Sequence, residues 1–155
     1  MPIPKEITGY LDAHRIPYET IHHRRNFTAQ ETAADTHTRG KDFAKTVLLF
    51  IDDRYFLAVL PAHRQLSLNK VKTTLHAKQV TLASEDEISA LFNNCEIGAM
   101  PPLGDLYNLP VYVDSDIKRD YQITFNAGTH EDVIRMLYKD YETLVHPKVI
   151  DMTTN

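Results

Sequence analysis

The chain has 155 residues, of which 43% are hydrophobic, so it is expected to fold as one domain over residues 1–155 and to bury a core without metal ions or disulfides. Its 17 basic and 21 acidic residues give a formal net charge of −4, which argues against a protein that grips a long DNA duplex, because such proteins have a basic surface. One cysteine permits no internal disulfide, and no segment approaches the roughly 20 apolar residues of a membrane span, so the sequence predicts a cytoplasmic protein with no membrane partner.

The first part of the chain is predicted to contain two helices and a strand. Apolar residues at helical spacing predict a helix over about 5–16, and Pro17 ends it. A short strand is expected at 18–22. Thr28 and the glutamate three residues later match a capping box, which predicts a helix over about 28–36.

The most apolar run of the sequence covers residues 43–51, and a second apolar run follows at 55–60. The two runs are joined by a short polar link, which is typical of a hairpin at the centre of a sheet. Lys45 lies near the entrance of the first run. A lysine is rarely buried without a partner, so Lys45 is either a residue whose ammonium reaches water or a cation placed for a purpose.

Periodicity, capping residues and turn residues predict further elements in the middle of the chain. We expect a helix over about 69–75, a strand at 79–82, a helix that a capping box opens at 84–87, and strands at 109–113 and 122–126.

The stretch 114–120 is expected to be a charged turn. The end of the chain admits two alternatives, which are a helix over 133–141 or a strand over 132–136 followed by a helix over about 138–145. Helices and strands mixed around one long hairpin indicate an α/β domain with a mixed sheet.

The sequence carries no signature of a metal site or of a covalent nucleophile. Its eight histidines include no His-x-x-x-His pair, and there is no cysteine pair, so neither a metal nor a cofactor is expected. Cys95 has no histidine near it in the sequence, which favours a structural thiol over a reactive one.

Two glycine-containing segments are candidates for chemistry. Gly98-Ala99-Met100-Pro101-Pro102 combines a glycine with two prolines, and a rigid loop of this kind can present backbone amides to a carbonyl oxygen. Gly128-Thr129-His130 follows a predicted strand and adds a hydroxyl and an imidazole. Each segment is also compatible with an ordinary connection between elements, which composition alone favours.

The order and spacing of these segments, taken together, favour a functional role over an ordinary connection. Ala44-Lys45-Thr46-Val47, Val59-Leu60-Pro61-Ala62, Gly98-x-x-x-Pro102 and Gly128-x-His130 together resemble the YbaK/prolyl-tRNA-synthetase-associated family of aminoacyl-tRNA deacylases, over about residues 10–149. The resemblance implies a single domain with a mixed, barrel-like β-sheet surrounded by helices. It also implies a strand followed by a helix at the end of the chain.

The resemblance assigns roles to individual residues. Lys45 matches the family's functional lysine and would hold a phosphate of the terminal adenosine or the polar end of the substrate. The loop that begins at Gly98 would present amides to the ester carbonyl and the developing oxyanion. His130 would shape the pocket or orient a water, with general base as the alternative role. The expected substrate-binding residues are Ala99, Met100, Pro101, Pro102, Gly128 and Thr129.

The activity that the resemblance implies is hydrolysis of the ester of mischarged tRNA in trans, with Ala-tRNA(Pro) as the first expected substrate. Cys-tRNA(Pro) or another small-amino-acid tRNA is the alternative, because small pockets discriminate poorly between such side chains. The expected partners are the acceptor end of aminoacyl-tRNA and prolyl-tRNA synthetase. Two other classes of function stay open: a non-catalytic module that binds a nucleotide or a synthetase, and a hydrolase of small esters unrelated to tRNA.

Overall fold

The structure is a computed structural model that describes residues 2–26 and 28–154, so the two ends of the predicted domain, Met1 and Asn155, lie outside the described residues. The helices are α1 (Lys5–Ala13), α2 (Ala29–Asp35), α3 (Leu68–Thr74), α4 (Glu85–Leu91), α5 (Ser115–Lys118) and α6 (Tyr138–Val145), with a short 3-10 helix at Gly104–Tyr107. The strands are β1 (Glu19–His22), β2 (Phe43–Ile51), β3 (Arg54–Pro61), β4 (Gln65–Leu66), β5 (Val80–Leu82), β6 (Val111–Asp114), β7 (Gln122–Asn126), β8 (Asp132–Leu137), β9 (Lys148–Ile150) and β10 (Thr153–Thr154).

Eight strands form one mixed sheet in the order β1-β8-β7-β2-β3-β6-β9, with β5 paired to β2 beside this path. The β2–β3 hairpin lies at its centre, in antiparallel register from Ala44 opposite Pro61 to Ile51 opposite Arg54. Asp52 and Asp53 connect the strands with positive φ angles of 44° and 70°, the conformation that a two-residue hairpin turn requires. The predicted central hairpin is therefore confirmed.

The two edges of β2 have different neighbours. One edge pairs with β3 along the whole strand, whereas the other pairs with β7 only at Phe43 and Ala44 and with β5 only from Leu49 to Ile51. β7 therefore pairs with β2 before, and β5 pairs with β2 after, a stretch that has no strand partner on this edge among the described residues. Because the amide of Ala83 donates to the carbonyl oxygen of Leu48 at 3.0 Å, the stretch covers residues 45–47. This stretch includes Lys45, and it opens the sheet edge at the place where β7 ends.

Helices cover both faces of the sheet, as expected for an α/β fold. The larger core packs α1 and α6 against the inward side chains of β3, β6, β7 and β8, and smaller clusters lie under α2 and α3. The fold is thus the predicted α/β arrangement with a mixed, barrel-like sheet surrounded by helices. In the described part of the chain, no helix is long and apolar enough to cross a membrane.

The alternative of a strand followed by a helix is correct at the end of the chain. β8 pairs with β7 on one side and with β1 on the other, so the segment 132–137 completes a sheet and cannot be helical. α6 follows at once, and its Tyr141 is fully buried in the larger core.

Two predictions differ from the structure, and one pair of strands was not predicted. α1 ends at Ala13 rather than near residue 16, because Arg15 adopts a positive φ of 57° and turns the chain before Pro17. The charged stretch 114–120 is not only a turn but contains α5, which begins where the Asp114 carboxylate accepts a hydrogen bond from the amide of Asp116. The short pair of β4 and β10 was not predicted, because neither strand has a sequence pattern of its own.

Candidate active site

The loop that begins at Gly98 and the turn at Gly128 form one unit. The amide of Glu96 donates to the carbonyl oxygen of Gly128 at 2.8 Å, and the amide of Gly128 donates to the carbonyl oxygen of Ala99, also at 2.8 Å. These two segments, about 30 residues apart in the chain, are therefore held together by reciprocal backbone hydrogen bonds.

His130 adds two further connections between the turn and the loop. Its backbone amide donates to Oε1 of Glu96 at 2.8 Å, and its Nε2 lies 2.7 Å from the carbonyl oxygen of Ile97. A carbonyl oxygen only accepts hydrogen bonds, so Nε2 carries the proton. Through this nitrogen His130 is a donor that holds the loop, and it does not serve there as a base.

Gly98 lies directly against this imidazole. Its φ of +86° is a conformation that residues with a side chain rarely adopt, and an added Cβ would lie 3.4 Å from Cε1 of His130. The glycine thus permits both the turn of the loop and the close contact with the ring.

Glu96 binds both the turn and a neighbouring arginine. Besides the His130 amide, its carboxylate accepts a hydrogen bond from Nη2 of Arg25 at 3.1 Å. Burial opposes ionisation of Glu96, but the hydrogen bonds from His130 and Arg25 together lower its pKa. The Glu96 carboxylate is therefore ionised, and it joins the His130 amide of the turn to Arg25.

The loop turns its side chains inward, toward the protein. Ala99, Met100, Pro101 and Pro102 are all buried, and Met100 packs in the larger core. The carbonyl oxygen of Pro102 accepts a hydrogen bond from the hydroxyl of the fully buried Tyr141 at 2.7 Å. What the loop offers to a ligand is consequently its backbone.

Two amides of this loop are available as donors. The Ala99 amide bonds to the carbonyl oxygen of Glu96 at 3.0 Å, and the two prolines carry no N–H. Within residues 2–26 and 28–154, no acceptor is bonded to the amides of Gly98 or Met100. These two N–H groups are the candidates for binding an oxyanion.

The turn residues Gly128 and Thr129 hold the backbone in place. Gly128 has a φ of +88°, and an added Cβ would lie 2.8 Å from Cδ of Pro4. Thr129 is fully buried, and its hydroxyl donates to Oδ2 of Asp132 at 2.6 Å and accepts from the amide of Glu131 at 3.1 Å. The Thr129 hydroxyl is therefore already engaged inside the protein.

Lys45 lies on the strand next to this unit. The parallel pairing of Ala44 with Phe125 places Lys45 beside Asn126, two residues before Gly128. Burial lowers the pKa of the half-buried Lys45, and among the described residues no carboxylate pairs with its ammonium.

Asn126 is a polar neighbour of Lys45 that was not predicted to be a site residue. Its residue is 9% exposed, and its Oδ1 is buried without a hydrogen-bond partner among the described residues. The signal in the sequence was weak, since Asn126 occupies the end of a predicted strand. Only the parallel pairing of β2 and β7 shows that it lies beside Lys45.

A pair of carboxylates lies at the start of β2. Burial first, and then the charge and hydrogen bond of Asp42, raise the pKa of Asp120 to about 7. Asp42 also accepts a hydrogen bond from Nε of Arg39 at 2.8 Å, and its carbonyl oxygen accepts one from the amide of Thr124 at 3.2 Å. This pair is therefore part of the junction between β2 and β7.

Cys95 directly precedes Glu96 in the chain, but its thiol is bonded to other residues. Burial raises the pKa of the Cys95 thiol, which contacts the Tyr107 hydroxyl at 3.4 Å, as expected for a structural cysteine. In the described residues, no three histidine, cysteine or acidic side chains come together as metal ligands would.

Comparison with known proteins gives a consistent picture. Residues 23–144 match the model of the aminoacyl-tRNA editing domain. The proline–tRNA ligase of Bacillus subtilis (strain 168) is 30% identical over 113 residues, which cover 73% of this chain and 20% of the ligase. The corresponding ligase of Geobacillus sp. (strain WCH70) is 28% identical over 100 residues, which cover 64% of this chain and 18% of the ligase. The chain thus spans about a fifth of the length of these curated relatives.

A solved structure described as a candidate trans-editing enzyme for prolyl tRNA synthetase has the same fold. The two structures superpose with a TM-score of 0.85 at 21% sequence identity, covering 100% of this chain and 99% of the other.

Proposed function

The chain belongs to the aminoacyl-tRNA editing domain family, and we propose that it is a deacylase that hydrolyses the ester of mischarged tRNA in trans, with Ala-tRNA(Pro) as its first substrate. The observation that carries this proposal is the joined loop and turn, whose Gly98 and Met100 amides have no acceptor among the described residues. The turn follows β7, whose last residues lie beside the strand that carries the half-buried Lys45.

In the proposed reaction a water adds to the carbonyl carbon of the aminoacyl ester. The amides of Gly98 and Met100 bind the oxyanion that develops, because such donors act most strongly where water is excluded. The bond to the ribose oxygen then breaks, which releases the free amino acid and the tRNA hydroxyl. No covalent intermediate is required, since the ester is already reactive.

Lys45 is proposed to position the substrate. Its ammonium has no protein partner among the described residues, so it can pair with a phosphate of the terminal adenosine or with an ester oxygen. The acceptor end of tRNA would reach this site near Arg24 and Arg25, which lie on the segment before α2. Such a local contact is compatible with a net charge of −4.

His130 is proposed to be a positioning residue rather than the base, because its Nε2 already donates to the Ile97 carbonyl. His130→Gln keeps a side-chain donor and should retain more activity than His130→Ala. Equal and complete loss in both variants, with the fold intact, would favour a base.

The proposal is tested by a deacylation panel with Ala-, Cys-, Ser-, Thr- and Pro-tRNA, each at matched concentrations. We expect Ala-tRNA(Pro) to be hydrolysed fastest and Pro-tRNA(Pro) to be spared. Faster hydrolysis of Cys-tRNA(Pro) would keep the activity and change the substrate. Binding of tRNA or of prolyl-tRNA synthetase without hydrolysis of any ester would show a non-catalytic module instead.

A further inference from the structure

Asn126 lies beside Lys45 in the strand register, and in the described part of the chain its side chain forms no hydrogen bond that would explain it as part of the fold. The residue is more than nine-tenths buried, and among the described residues neither Oδ1 nor Nδ2 forms a hydrogen bond. A buried carboxamide without a partner is costly, and native proteins rarely keep one unless a ligand or water uses it.

Asn126 and Lys45 lie on the same face of the sheet. Phe43 pairs with Thr124 in parallel register, and side chains alternate along each strand, so Lys45 and Asn126 share the face of that pair. Across β8, the partner of Asn126 is the apolar Val133. The row therefore presents one cation and one neutral acceptor between apolar neighbours.

An aminoacyl ester brings a cation of its own, because its α-amino group is protonated near neutral pH. The nearby carboxylates are already occupied: Glu96 binds the His130 amide and Arg25, and Asp132 binds His22 at 2.9 Å and the Thr129 hydroxyl. A neutral acceptor has a further advantage, since a carboxylate beside Lys45 would pair with its ammonium and draw it from the substrate.

We propose that the carboxamide oxygen of Asn126 accepts a hydrogen bond from the α-ammonium of the aminoacyl group, which makes Asn126 the residue that distinguishes aminoacyl esters from esters without an α-amino group. The inference rests on the proposed deacylase function and deepens it. No hydrogen bond to the described residues fixes the carboxamide, so rotation about its last bond can turn the oxygen toward the ligand.

The test compares two substrates, alanyl-tRNA(Pro) and propionyl-tRNA(Pro), in which a hydrogen replaces the α-ammonium. The variants are Asn126→Leu, which keeps the volume and removes the polar atoms, and Asn126→Ala. For alanyl-tRNA we expect kcat/KM to fall about 10- to 100-fold, the range for a lost hydrogen bond to a charged group. For propionyl-tRNA it should change less than about threefold, which also shows that the variants are folded.

Asn126→Asp provides a second comparison. The new carboxylate should pair with Lys45, so hydrolysis of both esters should fall together, and the fall should be reduced at a pH that protonates the carboxylate.

Two results would overturn the inference while leaving the deacylase function intact. One is an equal loss for alanyl- and propionyl-tRNA in Asn126→Leu and Asn126→Ala, which would show that Asn126 only shapes the site. The other is an unchanged rate for alanyl-tRNA in both variants. If the unmodified protein hydrolyses no aminoacyl-tRNA, the proposed function fails and the inference falls with it.

Discussion

Replacing Lys45 by methionine separates the function of the ammonium from its contribution to folding. Methionine keeps most of the apolar stem and removes the charge. In the folded protein burial lowers the pKa of Lys45, so the folded state binds this proton more weakly than the unfolded chain does. The resulting penalty is present at neutral pH and disappears only above the ordinary pKa of 10.5.

Lys45→Met is expected to raise the stability of the protein and to lower its deacylase activity. No ion pair of Lys45 is lost among the described residues, so Lys45→Met should raise the free energy of unfolding at pH 7. Water still screens part of this side chain, so the gain should stay below about 1 kcal/mol, which for a chain of this size is a rise in Tm of less than about 4 °C. Loss of a charged hydrogen bond to the substrate should reduce kcat/KM about 10- to 100-fold.

The assay measures urea unfolding and deacylation of Ala-tRNA(Pro) on the same protein preparations. Lys139→Met is the matched control, because Lys139 is an exposed lysine of α6, and it should leave both quantities unchanged. A Lys45→Met protein that is several kcal/mol less stable, or that hydrolyses the ester at the rate of the unmodified protein, would refute the proposed role of Lys45.

Three further predictions concern the parts that hold the site. Gly128→Ala should lower the free energy of unfolding by about 1–2 kcal/mol or more, because of its positive φ and the contact with Pro4, and urea unfolding checks this. Tyr141→Phe should cost about 1–2 kcal/mol and slow deacylation, since the buried Pro102 carbonyl loses its donor; an unchanged unfolding midpoint would contradict this. The pKa of Asp120 is about 7 in the folded protein and 3.8 in the unfolded chain. The folded state therefore binds this proton more tightly. The stability that the proton contributes is fully present below pH 3.8 and is lost as the pH rises to about 7. Asp120→Asn should flatten that loss in a profile of Tm against pH.

Local sequence signals correctly predicted the elements whose capping or turn residues lie at their own ends. Ser84 and Glu87 form the complete capping box at the start of α4, and the Asp52-Asp53 turn closes the hairpin. At the end of the chain the residues from Val133 onward suit a helix or a strand equally well. The strand forms because β7 and β1 supply partners on both sides, which no local pattern shows.

The same distinction applies to the site. The glycines at 98 and 128 are visible in the sequence, and both have the positive φ that glycine favours. Thr129 was expected to bind substrate, but its hydroxyl is bonded to Asp132, and a sequence does not show which hydroxyls are already used. Asn126 was overlooked for the opposite reason, because its lack of a partner is visible only in three dimensions.

The short junction between β2 and β7 has a consequence for how the protein folds. Lys45 belongs to the first third of the chain, whereas the loop and the turn come from residues 96–130, and β2 and β7 are paired at only two residue pairs that span about 80 residues of sequence. Contacts between such distant segments carry a large loop-closure entropy and usually form late. The hairpin and the loop–turn unit can therefore be in place before the site exists. Amide exchange at Thr124, whose N–H donates to the carbonyl oxygen of Asp42 at 3.2 Å, would report when the two halves of the site have joined.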